Sequence, residues 1–287
     1  MAFIAGLVIV VVSVLGGFVA LGGHLAVLWQ PFEYIIICGA ALGGFIIGNP
    51  KPVLIKSAKV LGQLMKGSRY KKQHYLDLLG LQYTVYRLAK SKGMLALEQH
   101  VENPEDSDIF QAFPSFSKDR HAVEFLCDYL RLLTLGTESP YELEALMDEE
   151  IDTHHEEQSQ VATAFQTLAD GVPALGIVAA VLGVIHTMGS ITEPPEVLGH
   201  LIGGALVGTF IGVLLAYGLV GPVATSLKAT YDAEAKYYQC IKAGLIAYLH
   251  GYAPAVCVEF ARKALLSTVR PTFYEVEDAV NTTPSKT

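Results

Sequence analysis

The stretch PALGIVAAVLGVIHTMGSI, residues 173–191, holds no acidic or basic side chain other than one histidine, and it is long enough to cross a bilayer, which takes roughly 20 apolar residues. It opens on a proline, and Gly176, Ala180 and Gly183 recur three or four positions apart. Residues at that spacing share one face of a helix, and small ones let another helix come close. The pattern returns in 197–227, where Gly204, Gly208, Gly212 and Ala216 fall four apart. Such a lane serves either self-packing, of the subunit's own spans or of identical neighbours, or the helix of a different protein, and the spacing leaves both open.

Outward from these two stretches, the whole chain is apolar and blocky. Hydrophobic letters make up 52% of its 287 residues and charged ones 17%, which sets it apart from an ordinary water-exposed domain. Asp, Glu, Lys and Arg are absent from 1–22, 34–50, 171–192 and 197–227. This is a four-span pattern in which the second span is short and the fourth has length to spare. None of the 20 Lys and Arg falls in 1–50 or 166–222; they are confined to 51–165 and 223–287. Because cytoplasmic flanks carry the excess of Lys and Arg, both charged segments and both termini are expected in the cytoplasm. The apolar start lacks the basic region and cleavage pattern of a secretory signal, so it reads as a retained helix.

The expected fold is therefore an all-α integral membrane protein. It has a transmembrane hairpin over 1–50, a large helical cytoplasmic insert over 51–165, a second hairpin over 166–222 and a helical cytoplasmic tail over 223–287. In the insert, Ser139 before Pro140 is a helix start, a capping residue followed by the proline favoured at the first helical position. Leu143, Leu146, Met147 and Ile151 then make one apolar face, and this helix is expected to run on into the third span. In the tail, Gly251 and Pro254 mark a stop and a restart.

Several functional classes recede on the same grounds. The net charge of −8 argues against nucleic acid as a partner. The four cysteines are far apart with no CxxC, and the His154, His155, Glu156, Glu157 run lacks the spacing of an HExxH site, so neither a metal site nor an enzyme is expected. An ion carrier needs an ionisable group inside the membrane, where each costs roughly 2.5 to 3.5 kcal/mol or more at the bilayer centre. Here Glu33 and Asp170 stand at span edges and His186 is the mid-span candidate. A partner would have to supply the carboxylate. Near the two lanes stand Pro173, Pro222, Thr187, Thr209 and Tyr217, and the two prolines free backbone carbonyls where a span can bend.

At these residues the sequence resembles the MotA family, the A subunit of the flagellar motor stator. The motifs that carry it are DGVPALGIVAAVLGVIHTMGS, GGALVGTFIGVLLAYGLVGPVAT, YELEALMDEEIDTHH and GYAPAVCVEFARKALL, and the resemblance extends over nearly the whole chain. The resemblance implies an inner-membrane homo-oligomeric ring of A subunits, five in number, around two helices of a MotB-type B subunit that carries the ion-binding aspartate. It places ion-path and gating roles on Pro173, Ala180, Thr209, Tyr217 and Pro222. Sodium-driven members tend to carry threonine where this chain has Ala180, so the transported ion is expected to be a proton, with no cofactor. The family's contact with the rotor protein FliG falls on Glu98 and on a basic residue that is Lys90 or Lys92, with Arg87 nearby. The runner-up is an energising channel subunit of the ExbB or TolQ kind, which drives envelope transport.

Overall fold

A computed structural model describes residues 2–60, 62, 64, 67–136 and 139–282. Among the described residues every regular element is a helix. Those of seven or more residues are α1 (Ala2–Ala20), α2 (Pro31–Gly48), α3 (Lys51–Ser57), α4 (Lys72–Lys92), α5 (Arg120–Thr134), α6 (Pro140–Met188), α7 (Pro195–Leu215), α8 (Gly221–Leu249), α9 (Pro254–Lys263) and α10 (Phe273–Thr282). The chain divides into two compact units, one made of 1–67 with 157–230 and the other of 68–156 with 231–287. These edges differ from the membrane borders at 50/51, 165/166 and 222/223 that the charges mark. Charge reports where water begins, whereas compactness reports which side chains pack together, and α3 packs with the apolar helices although it starts on a lysine.

The first unit holds four helices long and apolar enough to cross a membrane: α1, α2 with the 3-10 turn before it, α6 and α7. The chain is a multi-pass membrane protein. In a hydrocarbon medium a helix satisfies its own backbone groups, and apolar side chains may face outward without penalty. Accordingly, none of the spanning window of α1 is buried within the chain, and Val8, Ile9 and Val12 are exposed.

The unit is held by the crossing of α6 and α7. A Cβ added to Gly176 would lie 2.8 Å from the Gly208 carbonyl oxygen and 3.0 Å from Gly212 Cα, and one added to Gly212 would lie 2.8 Å from Gly176 Cα. Further along, a Cβ on Gly183 would lie 2.7 Å from Ala205 Cβ. Backbone touches backbone here, and the glycine lanes are spent within the subunit. Of the two readings left open by spacing, self-packing is the one these glycines follow. The link from α1 to α2 also uses the lane: the site of a Cβ on Gly204 lies 3.2 Å from Gln30 Nε2, and Tyr34 Oη donates to the Leu28 carbonyl at 2.8 Å to fasten the turn. Gly204 is ten residues into α7, about 14 Å along it at 1.5 Å per residue. The short second span thus begins beside the middle of α7, which is why 18 residues suffice.

The second unit has a conventional apolar core. Leu78, Leu79, Leu81 and Tyr86 of α4 pack with Leu126, Tyr129 and Leu130 of α5, Leu143 and Met147 of α6 and Ile241 and Leu245 of α8. Gln82 is fully buried and donates from Nε2 to the Ile241 carbonyl at 3.0 Å and to Tyr86 Oη at 3.1 Å. Asp119, also buried, accepts from Tyr70 Oη at 2.6 Å and pairs with Arg69 at 3.2 Å. Arg262 holds Glu259 through two nitrogens at 2.6 and 2.7 Å and donates to the Pro271 carbonyl at 2.9 Å, drawing the last turn of α9 to the segment that leads into α10. That pairing holds the Glu259 carboxyl below its ordinary range.

Sequence and structure agree closely on where these helices stop. Glu142 N–H donates to Ser139 Oγ, α6 runs unbroken for 49 residues, and Gly251 takes φ 83° in the gap between α8 and α9. The apolar face of α6 is narrower than its letters imply. Leu143, Met147 and Ile151 are buried, but Leu146 is 51% exposed, because positions four apart form the buried stripe and Leu146 lies on its edge. The final polar residues, 283–287, lie outside the described residues.

Gly176→Val and Gly212→Val are each expected to cost about 1 to 3 kcal/mol by overpacking the crossing, and more if the backbones cannot part. Gly199→Val, with open space at its Cβ, serves as the control. The measurement is the amount of chain recovered in membranes and its thermal unfolding after extraction.

Candidate ion path at the crossing of the third and fourth spans

Of the predicted path residues, Ala180 lies at the same crossing, Pro173 and Thr209 stand beside it in sequence, and Tyr217 and Pro222 lie beyond it. Ala180 is half-buried, with its backbone nitrogen 3.2 Å from a Cβ placed on Gly208. Thr209 follows Gly208 and is half-buried. Pro173 is half-buried and sits inside α6 without ending the helix. Tyr217 is 70% exposed and Pro222 is exposed in the first turn of α8.

Between α7 and α8 the chain forms a π-helical turn, Ala216–Val220. Its cause is local: Pro222 lacks an N–H, and its ring would press on the carbonyl four residues earlier, at Gly218. Widening the turn relieves both problems. Gly218 then admits α1, since a Cβ there would lie 3.1 Å from Val10 Cγ1. Tyr217 projects from this turn. The sequence announced a place where the span bends; the form of the bend, a wide turn within a continuous helical run, needed coordinates.

One carboxyl that the sequence places near a span edge also reaches this crossing. Glu33 is in the first turn of α2, yet its carboxyl reaches the lane. Cβ atoms placed on Gly208 and Gly183 would lie 2.9 Å from Glu33 Oε2 and 3.2 Å from Oε1. Oε2 is buried with no hydrogen-bond partner among the described residues. The re-entry of the α1–α2 link carries Glu33 inward, and no signal along the chain encodes that depth. His186 is exposed and turned from the lane, while Thr187 is buried and donates to the Gly183 carbonyl at 2.9 Å.

The charged group of the second unit sits around one turn. Arg87, Lys90 and Lys92 lie on the last two turns of α4, and Glu98 opens the short helix Glu98–Glu102. Gly93 at φ 85° and the 3-10 turn Met94–Leu97 join them, anchored by buried Leu97. All four charged side chains are exposed, and no ion pair among the described residues engages them. Three cations and one carboxylate therefore stand exposed on either side of this turn.

Four apolar spans, two of them crossing on glycine, with a bend, a hydroxyl and one unpartnered carboxyl near the seam, define a multi-pass membrane protein with polar groups among its spans. Residues 118–240 match the MotA/TolQ/ExbB proton channel family and residues 4–93 the family described as Motility protein A N-terminal. Motility protein A of Salmonella typhimurium and that of Escherichia coli are each 44% identical over 280 residues, covering 98% of this chain and 95% of theirs. Chemotaxis protein LafT of Vibrio parahaemolyticus is 35% identical over 95% of both chains. The fold is shared with two solved structures, C. jejuni MotAB (TM-score 0.75, 22% identity, 93% of this chain and 96% of that one) and the flagellar MotAB stator complex from Bacillus subtilis (TM-score 0.73, 24% identity, 94% and 98%). The chain belongs to the motility protein A family.

Glu33→Leu removes an unpartnered buried acceptor, so the protein is expected to accumulate in membranes at least as well as the parent. If the carboxyl serves the path, swimming speed falls at least twofold. A variant that accumulates and swims like the parent would remove Glu33 from the path.

Proposed function

We propose that this chain is the A subunit of a flagellar motor stator that couples ion flow across the bacterial inner membrane to torque on the rotor. Near-complete coverage of motility protein A at 44% identity carries the reading. The match of 4–93 to the motility protein A N-terminal family, together with four apolar spans, favours it over an ExbB or TolQ role. In the proposed assembly a homo-oligomeric ring of five copies surrounds two helices of a MotB-type subunit, with both termini of each A chain in the cytoplasm. The absence of Lys and Arg from 1–50 and 166–222 supports that orientation.

The proposed path draws its aspartate from the partner, since 1–22, 34–50, 171–192 and 197–227 hold none. Exposed apolar side chains on α6 (Ile177, Val181, Ile185) and on α7 (Leu206, Val213) leave faces that a partner helix can cover. A proton entering from outside neutralises the partner's aspartate near Thr209 and leaves past Pro173 and Pro222. Each charge crossing 100 mV releases about 2.3 kcal/mol. Neutralising the aspartate removes its desolvation penalty and changes the face of the ring it prefers, so ring and partner helices step relative to one another. Arg87, Lys90, Lys92 and Glu98 pass the motion to FliG. Ala180 supports a proton as the ion: it presents no side-chain oxygen to replace the hydration shell of a sodium ion.

Swimming is expected to stop under a proton uncoupler and to survive sodium removal; the opposite pattern overturns the assignment of the ion. Pro173→Ala and Thr209→Ala are expected to lower torque and proton flux together, and normal values in both would reject their roles. Glu98→Lys is expected to reduce torque without changing proton flux through the assembled complex, because it touches the rotor corner alone.

A further inference from the structure

Within the first unit, α2, α3, α6 and the π turn enclose an apolar groove of about 660 Å³, within the range of small-molecule sites. Its walls include Ala41, Phe45, Phe165, Leu168 and Val172, and the Phe45 and Phe165 rings lie 5.6 Å apart. One side is α3, which contributes Leu54, Ser57 and Ala58. Ser57 Oγ is buried with no hydrogen-bond partner among the described residues, an isolated polar atom on an otherwise greasy surface.

The charges beside this groove are of one sign. Residues 51–60, which hold α3, contain Lys51, Lys56 and Lys59 and no Asp or Glu. Lys51, Lys56 and Lys59 are exposed, and no ion pair among the described residues engages them. Lys51 is three residues before Leu54, so it stands over the groove-lining face of α3, and Ile55, 63% exposed, separates it from Lys59. A run of cations directly after a span attracts anionic headgroups, and apolar side chains among them enter the acyl region.

We propose that the groove binds one anionic phospholipid, with an acyl chain along the Phe45–Phe165 walls, a glycerol ester oxygen accepting from the Ser57 hydroxyl, and the phosphate between Lys51 and Lys59. Charge complementarity selects this occupant: a zwitterionic lipid brings a cationic amine beside its phosphate and so adds a like charge next to the lysines, and an apolar protein helix leaves both the lysines and the Ser57 hydroxyl unanswered. The bound lipid acts as a filler that fixes α3 against α2 and α6.

The test uses the full complex of this chain with its single-span partner, extracted in mild detergent, with retained lipid identified and counted by mass spectrometry. Phosphatidylglycerol or cardiolipin is expected to be enriched over its share of the parent membrane. The double variant Lys51→Gln, Lys59→Gln is expected to lower that retention by at least tenfold, and Ala58→Trp, which fills the groove, to abolish it, with the complex intact by mass in both cases. Should the double variant disassemble, enrichment in the parent together with loss in Ala58→Trp alone carries the result. Retention at bulk membrane proportions, or equal retention in parent and intact variants, overturns the proposal. So does efficient disulfide trapping of two copies through Ala58→Cys, which would give the groove to a neighbouring subunit.

Discussion

The membrane unit depends on one constraint, direct backbone contact between α6 and α7. In lipid, apolar side chains gain nothing by leaving the solvent, so helices associate through close packing and polar contacts. With Gly176 set on the Gly208 carbonyl and Gly212, and Gly183 on Ala205, the two helices approach to a distance that any side chain would prevent. Everything else in the unit is arranged around that seam: the α1–α2 link rests on Gly204, Glu33 meets Gly208, and α1 touches the π turn at Gly218.

The seam also determines which polar groups lie between these almost uncharged helices. Side chains that would fill the interior are missing, so backbone, a threonine and one carboxyl are what remain near it. An unpartnered carboxyl oxygen within apolar helices is unfavourable on its own. Its presence is the kind of local disagreement with packing rules that marks a working part of a protein. The π turn before Pro222 belongs to the same category, since a regular helix there would leave a clash at Gly218.

The second unit is built on opposite terms. It has a core of leucines and tyrosines, and most of its buried polar side chains hold at least one partner: Gln82 donates to backbone carbonyls, Asp119 meets Tyr70 and Arg69, and Arg262 meets Glu259 and Pro271, while Gln82 Oε1 and Tyr237 Oη are buried with no hydrogen-bond partner among the described residues. In contrast with that interior, the exposed charges around Gly93 engage no ion partner among the described residues. Exposed charges of this kind gain little from pairing with one another, because surface pairs are weak and solvated.

The sequence by itself determined the class of the fold, the number of spans, the helix boundaries at Ser139 and Gly251, and which lanes are small enough for close approach. These follow from composition and period, properties a chain carries locally. It also placed Pro222 as a bend and the charged residues beside Gly93 as a group, since they are near neighbours along the chain. Only the tertiary structure decided that the glycine lanes face each other, that Leu146 falls outside the buried stripe, that Glu33 lies against Gly208 instead of at an edge, and that Ser57 closes an apolar groove. Each of those depends on helices far apart in sequence meeting at a particular depth and rotation, and neither quantity is written in the order of residues along a single helix.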